Sequence, residues 1–235
     1  HLGETSRFGY SRTITRLGAG YEDVNTVFAA AKAGRTPTLF AANALLPEYP
    51  DLIADPRIRT LLPAWDLMRL DTMAKMIGEE DREPLFKALK RNVEQIKAMM
   101  AEGWHVHTGT DAPIDTIGIS YHLNLRAMTH FGISPYEALL TATRHAGSYL
   151  NAPIGTIAPG QLADLILVDG DPISNIADVS RVNTVIRDGG ALDVSALLLP
   201  YKIARSEHTQ SHIHSHTAHL DGEYFWHSAE YLNAC

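Results

Sequence analysis

Gly103-Trp104-His105-Val106-His107-Thr108-Gly109-Thr110-Asp111-Ala112-Pro113 is the stretch on which the reading of this chain turns. A helical pattern runs into it and stops at Gly103. A short apolar and β-branched run follows, and then Gly-Thr-Asp where the chain must turn. This is the signature of a strand that delivers one carboxylate to its C-terminal end. In a barrel of alternating strands and helices, catalytic groups sit at that end. Asp111 is therefore the first candidate for chemistry.

On the N-terminal side, Asp81 to Glu102 carries the clearest helical period in the chain. Leu85, Leu89, Val93, Ile96 and Met100 form an apolar stripe, with Lys87, Lys90, Arg91, Glu94 and Lys97 elsewhere. Before it, Asn43 to Asp81 contains Pro47, Pro50, Pro56 and Pro63, which predict broken structure through its first half; Leu67 to Ile77 reads as a helix. Thr36 to Phe40 reads as a short buried strand, its proline near the start where a missing N–H is tolerated. Tyr21 to Ala33 reads as a helix with Val24, Val27, Phe28 and Ala31 on one face and Gly34 as its stop.

On the C-terminal side, Ile119 to Phe131 reads as a helix closed by Gly132. Ser134, Pro135 and Glu137 then supply N-cap, N1 and N3 of a capping box, opening a helix expected to run to about Leu150. After Gly155 the period changes. Ala163 to Val168, Val182 to Ile186 and Ala191 to Val194 read as short antiparallel strands, with turns at Pro159-Gly160, at Asp169 to Pro172 and at Asp188 to Gly190. From Ser206 onward His, Ser and Thr dominate, and a poorly ordered tail is expected. Helices alternating with buried strands, then a small β part, give an α/β fold with a parallel core.

Composition narrows the function. The 235 residues are 45% hydrophobic with a formal net charge of -7. That balance, with no basic cluster, argues against a nucleic-acid partner. No apolar run is long enough to span a bilayer. Cys235 is the single cysteine, so neither an intrachain disulfide nor a cysteine zinc site can form. The chain opens on His1 rather than Met, as though cut from something longer.

Read as an ordered set, the motifs resemble one family. Gly109-Thr110-Asp111-Ala112-Pro113 is followed by Gly132-Ile133-Ser134-Pro135-Tyr136-Glu137-Ala138-Leu139, by Ala142-Thr143 and by Ala146. Gly155 to Leu165 (GTIAPGQLADL) and Gly170-Asp171-Pro172 complete the series. This order resembles the C-terminal part of the metal-dependent amidohydrolases, the imidazolonepropionase and prolidase-like branch in particular. Thr36-Pro37-Thr38-Leu39 resembles the seventh barrel strand of that group. The resemblance covers roughly Tyr21 to Asp193.

The resemblance implies the last strands of a (β/α)8 TIM barrel over residues 1–152, β-sandwich strands over 153–200, and a His-rich tail over 201–235. It implies one or two divalent metals, usually zinc. The aspartate after the eighth strand is then a metal ligand and takes a proton from metal-bound water, and Asp111 is the matching position. A metal lowers the pKa of its water, and a carboxylate in reach serves as general base. His1-Leu2-Gly3-Glu4-Thr5 resembles the segment where the fifth strand presents a histidine, so His1 is an implied metal ligand. His122, on the helix after Asp111 where the family often has histidine, is an implied substrate-binding residue.

The departures are equally definite. The family's first-strand His-x-His pair and its fourth-strand lysine would lie before His1. No histidine occurs between His1 and His105, and Arg16 to Gly20 stands where the sixth-strand histidine belongs. About three strands and an incomplete metal site are expected here. His105 and His107 share a strand face with Asp111 but sit before the strand end, which favours polar filling over metal binding. His130 and His145 read as surface or helix-terminal residues. His212, His214 and His216 alternate in the tail, with His208 and His219 flanking; imidazole is a good ligand for zinc, copper or nickel, but a solvated tail is the simpler reading.

Two functions follow. One is a metal-dependent hydrolase acting on an amide, cyclic amide or ester of a small molecule, this chain carrying part of the site. The other is a truncated, non-catalytic assembly or binding module. A partial barrel leaves strand edges and apolar helix faces uncovered, so either reading predicts a homo-oligomer or a complex with a chain carrying the missing half.

Overall fold

The computed structural model describes residues 33–79, 81–112 and 116–208, together with Val27, Ala30 and Ala31; of Phe40 and residues 203–208 only the backbone is described. The helix expected over Tyr21 to Ala33 therefore lies almost entirely outside the described residues, as do His1 and the tail beyond His208.

Two of the prolines of the early segment, Pro50 and Pro56, open helices instead of merely interrupting them. A 3-10 helix spans Phe40–Glu48, followed by α1 (Pro50–Ala54) and α2 (Pro56–Leu61), each with its proline at the first helical position, where a lost N–H costs nothing. Then α3 runs over Ala64–Glu79, longer at both ends than its apolar period implied. The strand expected over Thr36 to Phe40 is shorter: its parallel bridges are at Arg35 and Thr38, and Phe40 already begins the 3-10 helix.

Helix α4 (Glu83–Ala101) buries Leu89, Asn92, Val93, Ile96 and Met99. Each apolar side chain taken from water contributes roughly 1.5–3 kcal/mol, so this stripe alone fixes the face α4 turns inward. Leu85, at the end of the predicted stripe, is 40% exposed. Gly103, at φ +83°, turns the chain out of the helix, and the Trp104 N–H reaches back to the Met99 carbonyl at 3.0 Å.

Next come α5 (Ile119–His130), α6 (Pro135–Ala142) and α7 (Arg144–Leu150). The capping box at Ser134 and Glu137 is present. The single helix expected to Leu150 is two, because Thr143 leaves helical geometry (φ −133°, ψ −93°). Its hydroxyl donates back to the Leu139 carbonyl at 2.7 Å, a local bond that competes with the helix. Gly155, at φ +81°, brings its backbone against the Thr143 carbonyl, an approach that a Cβ would block.

The β part is a three-stranded antiparallel sheet, β1 (Leu165–Val168), β2 (Val182–Arg187) and β3 (Gly190–Leu192), in that order. Asp188 and Gly189, both at positive φ, make the two-residue turn that suits a twisted hairpin. β3 ends at Leu192, not Val194. α8 (Val194–His208) follows, so helix replaces the irregular tail expected from Ser206 to His208. Leu45, Leu46, Leu70, Leu89, Ile96, Leu123 and Met128 form one core joining the 3-10 helix, α3, α4 and α5.

Candidate active site

The Asp111 segment is held by backbone pairing before any side chain acts. The Arg35 N–H bonds the His105 carbonyl at 2.9 Å, and the His107 N–H bonds the Arg35 carbonyl at 2.8 Å. Parallel bridges link Arg35 with Val106 and Thr38 with Gly109. Gly109 passes so close that a Cβ would lie 2.5 Å from the Thr36 methyl; glycine is required there. Two residues on, Asp111 adopts φ +51° and is exposed. A left-handed backbone at a residue with a side chain stores strain, and aspartate is among the few that tolerate it. The Asp111 carboxylate accepts no hydrogen bond from a described residue, and the residue is exposed.

His105 and His107 fare differently although they share a strand face. His107 is 5% exposed, with Nδ1 3.0 Å from the Thr36 hydroxyl and Tyr149 packed on its ring at 4.3 Å. Its Nε2 is buried without a hydrogen-bond partner. Burial, then His105 and His145, push its pKa down, so it is a neutral filler of the interior. His105 is exposed and stacks on His145, the rings 5.6 Å apart and within 7° of parallel. His145 is helix-terminal, in the first turn of α7; it is half-buried, and its Nδ1 lies 3.1 Å from the Val106 carbonyl.

His122 lies in the second turn of α5, edge-on to Tyr121. Its pKa is lowered to about 4, first by burial and then by the Arg126 and Arg57 charges, against the opposing pull of Asp55 and Asp51. At neutral pH it is a neutral imidazole, unable to pair as a cation with a substrate carboxylate. The charged residues around it were not singled out by pattern. Arg126, 1% exposed on α5, holds Asp51 with two bonds of 2.7 and 2.6 Å, donates to the Ser180 hydroxyl at 3.1 Å, and lies 4.6 Å over the Tyr49 ring. Arg57 donates to the Ser180 carbonyl at 2.6 Å. The only signal was an arginine within the Leu123 to Met128 run of α5. No hydrogen bond joins His122 to Asp111 among the described residues.

The implied metal meets a clear test. Among the described residues no group of three or more His, Cys, Asp or Glu side chains is arranged to hold an ion. The described part of the chain does not by itself fit a metal centre, and His1 lies outside it. A cleft of about 430 Å³ opens beside α7, lined by Arg144, Ser148, Asn151, Thr156 and Gln161 among others; neither Asp111 nor His122 borders it.

The model of the amidohydrolase family matches residues 11–192. The chain belongs to that family. Its fold is accordingly TIM-barrel-like α/β, and amidohydrolases generally use divalent metals. No curated protein matches. Among solved structures, the chain is similar to molinate hydrolase (TM-score 0.50, 18% identity, 77% of this chain and 37% of that one). It is also similar to a bottromycin amidohydrolase (TM-score 0.50, 22% identity, 73% and 40%) and to a Xaa-Pro dipeptidase with bound methionine (TM-score 0.48, 20% identity, 74% and 38%). At these identities the likeness to the first two is one of fold. This amidohydrolase-family chain spans between 36% and 40% of the length of the solved structures it matches. Among the described residues no helix is long and apolar enough to cross a membrane.

Proposed function

We propose that this chain carries the C-terminal part of a hydrolase of the imidazolonepropionase and prolidase-like branch, cleaving the carbon–nitrogen bond of a small amide or cyclic amide, or a related ester. In this reading residues 1–152 supply the last barrel strands, 153–200 the strands of a small sandwich, and 201–235 an appended tail. The observation that carries it is the exposed residue Asp111, strained at φ +51° at the end of a strand that parallel pairing holds in place. The same left-handed backbone occurs at Asn151 and in the hairpin turn at Asp188, so it is the place of Asp111 at the end of the paired 105–109 segment that singles it out.

Asp111 accepts a proton from the attacking water as its oxygen bonds to the carbonyl carbon. The carbon–nitrogen bond then breaks, and the proton passes to the departing amine. His122, neutral at working pH, borders the substrate as a hydrogen-bonding group rather than a charge. Divalent metal, zinc in this reading, would take its ligands beyond Asp111 from outside the described residues, His1 among them. The rest of the site comes from a separate chain, a second copy included, or from a longer gene product of which this chain is a piece.

The test is hydrolysis by the protein isolated from its native source with its complexes intact. Dipeptides, N-acyl amino acids, cyclic imides and simple esters are assayed for release of amine or alcohol. Turnover of at least one nitrogen-containing class is expected. No turnover of any class would leave the chain as a non-catalytic assembly module.

A further inference from the structure

Successive residues of a strand point their N–H and C=O groups to opposite edges. The His105 carbonyl and the His107 N–H face the Arg35 segment. The Val106 carbonyl and the Thr108 N–H therefore face the outer edge, where a further strand would bond. They are not left open. The Thr108 N–H donates to the Thr141 carbonyl at 3.1 Å, and the two threonine hydroxyls meet at 2.5 Å. The Val106 carbonyl is met by His145 Nδ1 at 3.1 Å. Thr141 is fully buried in the last turn of α6, and His145 lies in the first turn of α7.

We infer that Thr141 and His145 are positioning residues that close the outer edge of the Asp111 strand and so fix where the Gly109-Thr110-Asp111 turn stands. A carbonyl only accepts, so Nδ1 must carry the proton. Burial first, then His105 and Arg144, lower the His145 pKa, against the Val106 bond that raises it; the ring is neutral at neutral pH. A neutral imidazole has one N–H, and here it is spent on Val106, leaving Nε2 bare. Stacking on His105 sets the ring plane. The break at Thr143 is what allows one helix to offer a carbonyl and the next an imidazole to neighbouring positions of the same edge. The catalytic consequence rests on the role proposed for Asp111; the edge closure rests on these bonds alone.

Three measurements on the full chain test it. Long-range proton–nitrogen NMR at neutral pH should find His145 as the Nδ1–H tautomer. Amide exchange at Thr108 to Ala112 should quicken by about tenfold in His145→Leu and in Thr141→Val, the equivalent of one lost hydrogen bond. Exchange in β1 to β3 should not change. His145→Asn, which keeps a donor at the Nδ1 position, and Thr141→Ser should restore the slow exchange. In the native assembly His145→Leu should lower kcat with KM unchanged. The Nε2–H tautomer in the wild-type protein, or unchanged Thr108 exchange in both apolar variants, overturns the inference. The tautomer needs no variant, so a variant that fails to fold does not remove the test. Absent hydrolysis with the Nδ1–H tautomer and the exchange changes present would overturn the function proposed for Asp111 and uphold the edge closure.

Discussion

Two properties of Asp111 bear on its role. Its backbone is left-handed and its carboxylate meets no described partner. Glycine would hold the same turn without the Cβ contact, so Asp111→Gly should raise stability by about 0.5–1 kcal/mol, less whatever the unfolded chain gains in freedom. Thermal melting reads this directly, and an unchanged or lower melting temperature would show that the carboxylate contributes to folding. His122 gives the second residue-scale prediction. Its folded pKa, about 4, lies below the ordinary histidine value near 6.5. The unfolded state therefore binds more protons between those limits. The stability tied to a neutral His122 is present above pH 6.5 and is lost as pH falls toward 4, by up to about 3 kcal/mol. His107 and His145 are shifted in the same direction and add to the acid sensitivity. Denaturant titrations at pH 7 and pH 4.5 should show a smaller difference in His122→Phe than in wild type; an equal difference would contradict the assignment.

At the scale of elements, Arg126 joins α5, α1 and the 3-10 helix Ile176–Ser180 through Asp51, Ser180 and the Ala177 carbonyl. Removing Asp51 leaves a buried guanidinium short of its charge partner. Because the Asp51 side chain is itself 55% exposed, solvent screens the pair, and Asp51→Ala should cost about 1–2 kcal/mol, measured as a shift of the denaturation midpoint at constant slope. The Arg126 hydrogen bonds hold the Asp51 pKa below the ordinary carboxylate range. That contribution is thus present above about pH 4 and lost below it, so the wild-type advantage over Asp51→Ala should shrink in acid.

Elements were legible where the deciding contact is local. The Ser134 and Glu137 capping box, the turn at Asp188 and Gly189, and the α4 stripe through Leu89, Val93 and Ile96 all lie within a few residues of their signals. The break at Thr143 was not legible, because a threonine hydroxyl bonding back to the carbonyl four residues earlier is also tolerated within a helix. The early start of the 3-10 helix at Phe40 was hidden for a related reason: Asn124, from α5, takes the Leu39 N–H at 2.8 Å and ends the strand there. His145 read as a surface or helix-terminal residue, and it does open α7; what its sequence neighbours do not show is the Val106 carbonyl that its Nδ1 meets.

For the whole molecule, family membership was legible in the ordered motifs from Gly109 to Pro172, and the match over residues 11–192 agrees with it. A metal centre was not assembled by the same motifs, since Asp111 is one carboxylate and the described residues bring no further ligands to it. What this part of the fold does carry is an extended segment, 105–109, held by two isolated parallel bridges on one side and by Thr141 and His145 on the other, with an exposed acid just beyond it. The most direct measurement is the hydrolysis rate of the native assembly with Asp111→Asn in place of the wild-type chain, melting temperatures being compared alongside. Loss of the carboxylate base should lower kcat by at least about 100-fold while the melting temperature is kept. A rate within twofold of wild type would show that Asp111 is not the proton acceptor.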